Sequence, residues 1–124
     1  MSQILTEEIL SWSLLSKCEA PAWLLDLLVE NEEIKQCYKT VRDIVALSNK
    51  RIILSNKQGI TGKKNEVYSL PYRSINMWSS ENKGHFDLTN ELTIWARTGT
   101  FKISIAAACN IREFDSILAA GILE

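Results

Sequence analysis

A mainly β fold of the α+β class is predicted for this chain: an antiparallel barrel or sandwich of seven strands, plugged at one mouth by a C-terminal helix and preceded by short N-terminal helices. Three observations carry that expectation. From Ile34 onward, β-branched and aromatic residues fill runs that polar clusters break every few positions, the rhythm of an antiparallel meander. In "TFKISIA", Phe101, Ile103 and Ile105 alternate with Lys102 and Ser104, as in a strand with one buried face. The chain then ends on an amphipathic stretch. Asn110 is a good cap, Glu113 completes a capping-box pattern, and Ile111, Phe114, Ile117, Leu118 and Ile122 recur at spacings of three and four.

Taken in order, the first element predicted is a helix. Thr6 serves as its cap, Glu7 and Glu8 sit where the helix dipole favours acids, and Leu5, Ile9 and Trp12 follow at helical spacing with Leu10 and Leu14 beside them. Pro21 suits the first turn of a second helix, in which Trp23, Leu24, Leu27 and Leu28 form one stripe and Asp26 and Glu30 lie off it. Helices this short must dock on something to be stable. "WLLDLLV" is therefore expected to cover an open barrel edge or a subunit interface. Residues 1–30 read as a helical extension and 31–124 as the main domain. Strands are expected at 33–39, 43–48, 51–56, 65–70, 75–80, 91–97 and 100–106, with "SNK" as a tight turn, Pro71 as a strand end or kink, and the glycine of "ARTGT" in the last hairpin.

The stretch "KQGITGKK" at 57–64 invites comparison with a phosphate loop, which needs G-x-x-x-x-G-K-[ST] followed by a helix. Lys57 stands where the first glycine belongs, Lys64 where a hydroxyl belongs, and "NEVYSLPY" follows as a strand. Gly59 and Gly62 instead suit a reversing hairpin, whose lysines discourage edge pairing.

At 124 residues, 46% hydrophobic and 23% charged, the chain suits one domain with a small attachment. A formal net charge of −1 provides no overall pull toward nucleic acid or an anionic membrane, and nucleic acid is not expected as a partner. The start lacks the basic flank of a signal peptide, and "APAWLLDLLVE" is far short of the roughly 20 residues of a membrane span. A cytoplasmic protein is expected. Cys18, Cys37 and Cys109, odd in number and widely spaced, argue against a disulfide framework and a zinc site and read as reduced, mostly buried thiols. His85, the only histidine, has no partner motif; Asp87 and Glu91 span a loop and a strand start. Trp12, Trp23, Trp78 and Trp95 read as core or interface packing rather than a stacking platform. No catalytic residue, metal or cofactor is expected, and the protein does not read as an enzyme.

Charge is unevenly distributed. Lys50, Arg51, Lys57, Lys63 and Lys64, with Arg73 just after, form a basic segment, while Glu19, Asp26, Glu30, Glu32 and Glu33 form an acidic one. The plain alternative is solvated surface. The sharper expectation is that the basic patch of one subunit meets the acidic counter-patch of the next.

Several motifs arrive in a familiar order: Tyr38-Lys39, Arg42-Asp43, Asn49 to Arg51, Lys57 to Lys64, Pro71 to Ile75, Phe86 to Leu88 and Glu91 to Trp95. Over about residues 28–120 the chain thereby resembles the bacterial pleckstrin-homology-like (PH-like) domain family. That family often has glycine where this chain has Asn31, phenylalanine-threonine at Leu47-Ser48 and aspartate at Asn56. The resemblance implies a strongly bent seven-stranded barrel or sandwich, no attributed catalytic residue, and a closed homo-oligomeric ring of five subunits. Besides itself, an unidentified protein is the expected partner. The alternative is a peripheral module for anionic lipid or a phosphate ligand, by analogy with eukaryotic pleckstrin-homology domains. It is not favoured, because the first hairpin, "YKTVRD", places Asp43 beside Lys39 and Arg42.

Overall fold

The computed structural model describes residues 9–58, 64–81 and 89–124. All seven expected strands are present, as β3 (Ile34–Lys39), β4 (Ile44–Ser48), β5 (Arg51–Gln58), β6 (Lys64–Pro71), β7 (Ile75–Glu81), β8 (Thr89–Ala96) and β9 (Gly99–Ala106). The C-terminal helix, α2, spans Ile111–Ile122. Two further strands precede them, β1 (Ile9–Leu14) and β2 (Ser16–Cys18), with one helical turn, α1 (Ala22–Leu25). The strands form a four-stranded sheet, β1-β9-β8-β7, and a five-stranded sheet, β2-β3-β4-β5-β6. Between barrel and sandwich, the two separate ladders decide for a bent sandwich. Pro71 ends β6 as expected, and a 3-10 turn over Tyr72–Ser74 carries the chain from one sheet to the other.

The N-terminal helix is corrected to a strand. In "ILSWSL" the operative period is two: Trp12 and Leu14 are buried and Leu10 packs against them, while Ser11 and Ser13 are exposed. Serine competes with helix formation, and a short helix has little stability of its own. The segment instead takes β9's free edge as a parallel neighbour, in register from Ile9 opposite Thr100 to Leu14 opposite Ile105. The proposed cap, Thr6, lies outside the described residues, as do Glu7 and Glu8. The second helix is cut to a single turn, so its stripe is split: Leu24 is buried and Leu28 half-buried, while Trp23 and Leu27 face outward.

The main core lies between the sheets, around Tyr38, Val45, Ile52, Leu92, Ile94 and Ile103. Helix α2 contributes Ile111, Phe114 and Leu118, the last two fully buried. Asn110 accepts a hydrogen bond from the Glu113 amide, but the reciprocal half of the capping box is replaced: the Glu113 carboxylate meets Lys17 at 2.8 Å. A smaller cluster on the outer face of the five-stranded sheet joins Leu24 to Cys37, Ala46 and Ile53.

Near the end of α2 the chain needs a glycine for reasons of space. A Cβ built at Gly121 clashes with the Cδ2–Cε2 edge of the Tyr72 ring; Tyr72 is buried and donates its hydroxyl to the Ser48 carbonyl at 2.6 Å. Alanine improves helix propensity by about 1 kcal/mol, yet Gly121→Ala is expected to lower stability by about 1–3 kcal/mol through overpacking. Chemical denaturation of the variant checks this; equal or higher stability contradicts it.

Candidate functional site

An ion pair joins the N-terminal segment to the sandwich. Arg51, the first residue of β5, donates from Nε to Glu32 Oε2 at 2.9 Å and from Nη2 to Glu32 Oε1 at 3.1 Å. The same guanidinium donates to the Leu27 carbonyl at 2.8 Å and to Ser69 Oγ at 2.9 Å. Glu32 also accepts from Ser48 Oγ at 2.6 Å and from the Val29 amide at 3.0 Å. Burial alone would raise the Glu32 carboxyl pKa; the hydrogen bonds from Arg51, Ser48 and Val29, with the charge of Arg51, outweigh it and hold the group below its usual range.

The "SNK" turn completes the grip. Asn49 Nδ2 donates to the Asn31 carbonyl at 3.0 Å, and Asn49 Oδ1 accepts from the Glu33 amide at 2.8 Å. Asn31 itself sits at φ 67°, a left-handed conformation that asparagine tolerates better than most residues.

Clamped at 27–33 and anchored by Leu24 and the half-buried Leu28, the segment turns four of its large apolar side chains outward. Trp23 is 42% exposed, Leu25 50%, Leu27 43% and Val29 57%, a run of large hydrophobics on one short stretch. Glu19, Asp26 and Glu30 are exposed alongside. The segment was expected to cover a barrel edge or an interface; it covers the outer face of the five-stranded sheet.

The structure divides the residues of the two charge patches. Arg51 and Glu32, assigned to opposite patches, bind each other within one chain. Glu33 is held by Lys35 at 2.7 Å. Lys50 and Arg73 are exposed and, with Arg51, line a cleft of about 430 Å³ beside Glu32 and Tyr72. Lys57 lies near the far end of the β5–β6 hairpin, where Gln58 pairs with Lys64 and Arg51 with Pro71. At about 3.3 Å per residue, that end is roughly 20 Å from Arg51. Lys63 lies outside the described residues, as does the Lys64 side chain. A strand, not a helix, begins at Lys64 and pairs antiparallel with β5, in agreement with the hairpin reading.

The other candidates fall as follows. His85 and Asp87 lie outside the described residues, and Glu91 stands opposite Glu81 on β7. In the first hairpin, the Asp43 carboxylate accepts from the Lys57 amide at 2.7 Å, and Thr40 Oγ1 accepts from the Asp43 amide at 2.7 Å. Trp12 is core, Trp78 donates to Asp115 at 2.7 Å, Trp95 is half-buried and Trp23 is on the exposed segment. Among the described residues no group of three or more His, Cys, Asp or Glu could hold a metal ion, and no helix is long and apolar enough to cross a membrane.

The family model described as "Bacterial PH domain" matches residues 3–122, which takes in the N-terminal strands as well as the motifs quoted above. The chain is similar to the uncharacterized protein YjqA of Bacillus subtilis, with 47% identity over 67% of this chain and 66% of that one, just under two thirds of that relative's length. It is also similar to the uncharacterized protein YozO of the same organism, with 34% identity over 74% of this chain and 80% of that one. Among solved structures, a Shewanella loihica protein with a pleckstrin-homology domain superposes with a TM-score of 0.74 at 27% identity, covering 86% of this chain and 96% of that one. By sequence motif, family model and fold alike, the chain belongs to the bacterial PH domain family.

Proposed function

We propose that the chain is a non-catalytic interaction module of the cytoplasm that assembles with copies of itself into a closed ring, five-membered as the sequence resemblance implies. The observation that carries this reading is the outward set Trp23, Leu25, Leu27 and Val29, held on a clamped segment and flanked by acids. Apolar side chains gathered at the surface with a polar rim are the mark of an interaction site. The matching charge is the exposed pair Lys50 and Arg73, which line a cleft that Val29 borders, so the acids beside the apolar set of one subunit can meet the basic rim of the next.

Light scattering across a salt series tests it. At low salt the mass is expected to be a multiple of the 14.1 kDa subunit, and to fall toward one subunit as salt screens the charge contacts. A mass of one subunit at every salt concentration contradicts it.

One observation favours the lipid or phosphate alternative. A second cleft, of about 450 Å³, is lined by Arg73, Arg97, Ser69, Ser74, Asn76 and Thr98, with no acidic side chain among the described residues of its walls. Flotation with anionic vesicles that Arg73→Glu abolishes would transfer the conclusion to this reading.

A further inference from the structure

Cys18 and Cys37 are register partners on the adjacent antiparallel strands β2 and β3, and their sulfur atoms lie 3.5 Å apart. Both are free thiols, Cys18 half-buried and Cys37 buried. We propose that this cross-strand dithiol is an oxidative modification site, closed to an intramolecular disulfide by a low-molecular-weight disulfide such as oxidised glutathione. The backbones already stand opposite one another, so side-chain rotation is what must bring the sulfurs to the bond length of about 2.05 Å.

The two thiols take different roles. Burial first, and then contact with Cys18, push the Cys37 thiol up to about 12, so Cys37 is a poor initial nucleophile. Cys18, the accessible member, attacks one sulfur of the small disulfide as its thiolate; the sulfur–sulfur bond breaks and one thiolate leaves. The Cys37 sulfur then attacks Cys18 Sγ, and the second small thiol departs with the proton that Cys37 gives up. Two protein thiols are oxidised by two electrons, and one small disulfide is reduced to two thiols.

The product closes residues 18–37 into a covalent loop. That loop holds the whole outward set from Trp23 to Val29 and ties the three-residue edge strand β2 to β3. The oxidation needs only the folded chain, so it is tested independently of assembly.

The reduced full-length protein is treated with oxidised glutathione, and free thiols are counted after denaturation. The count is expected to fall from three to one, with peptide mapping joining Cys18 to Cys37. The melting temperature is expected to rise by roughly 10 °C, the effect of closing a loop of this length, and to return on reduction. Cys109→Ser is expected to cross-link like the unaltered chain, and Cys37→Ser to stop with glutathione on Cys18. Should Cys37→Ser misfold, the peptide map of the unaltered protein decides alone. Three persisting thiols, cross-links between chains, or a stable glutathione adduct on the unaltered chain would each overturn the proposal.

Discussion

Removal of residues 1–14 is expected to leave a chain that no longer unfolds as one cooperative unit. The lost segment includes β1, whose six residues pair with β9 from Ile9 to Leu14. It takes two core side chains with it. Leu14 is 1% exposed, and Trp12 packs edge-on to Tyr68 at 6.2 Å and nearly parallel to Phe101 at 6.4 Å, donating Nε1 to the Ser55 carbonyl at 3.1 Å. Truncating a buried tryptophan costs about 3–5 kcal/mol and a buried leucine about 2–5. Together these approach the whole stability of an ordinary domain, about 5–15 kcal/mol. The deletion also bares the backbone edge of β9, an invitation to aggregation. Urea titration followed by far-ultraviolet circular dichroism checks the result. A truncated protein with a sharp, near-native transition would show that β1 is an accessory.

Breaking the Glu32–Arg51 pair is expected to have the next largest effect. Glu32→Ala leaves a mostly buried guanidinium without its carboxylate, which costs about 3–5 kcal/mol. The same change frees the turn at Val29, whose amide loses its acceptor. The pair also gives stability a pH dependence of definite sign. The carboxyl pKa is depressed in the folded protein relative to an unfolded value of about 4.3, so the unfolded chain takes up the proton first. The contribution is complete above the unfolded value and is lost as pH falls through the lower, folded one. Stability of the unaltered protein should therefore drop from about pH 5 downward, and Glu32→Gln should flatten that part of the curve. Glu33 and Glu113 are also depressed by their lysine partners, but they are exposed and common to both proteins. Parallel curves for the two proteins would rule out Glu32 as the source.

The readable parts of the sequence were those whose signal is local. The alternation of Phe101, Ile103 and Ile105 and the spacing from Ile111 to Ile122 each predict burial within one element, and both are realised. "ILSWSL" was ambiguous because Ile9 and Trp12 also satisfy helical spacing; an edge of β9, some ninety positions away in the chain, decides the outcome. The Glu32–Arg51 clamp was illegible for a related reason. Each residue fits a surface charge run, and only the path of the segment over the sheet shows that they meet. Pairing of Cys18 with Cys37 follows from β2, an element too short to announce itself. Gly121 carries no turn signal, since its role is to leave room for Tyr72. Trp23 and Leu27 were expected on the same stripe as Leu24 and Leu28. A helix of one turn cannot keep four residues on one side, and the exposed half of that stripe became the candidate interaction site.

The most direct test of the account is the solution mass of the intact chain beside that of Leu25→Asp/Leu27→Asp, two exposed positions whose side chains leave the core untouched. The intact chain is expected to travel as a closed oligomer, and the double variant as single 14.1 kDa subunits with an unaltered far-ultraviolet circular dichroism spectrum. A variant that assembles as fully as the intact chain would contradict the claim that this clamped apolar segment is what the protein uses to bind its own kind.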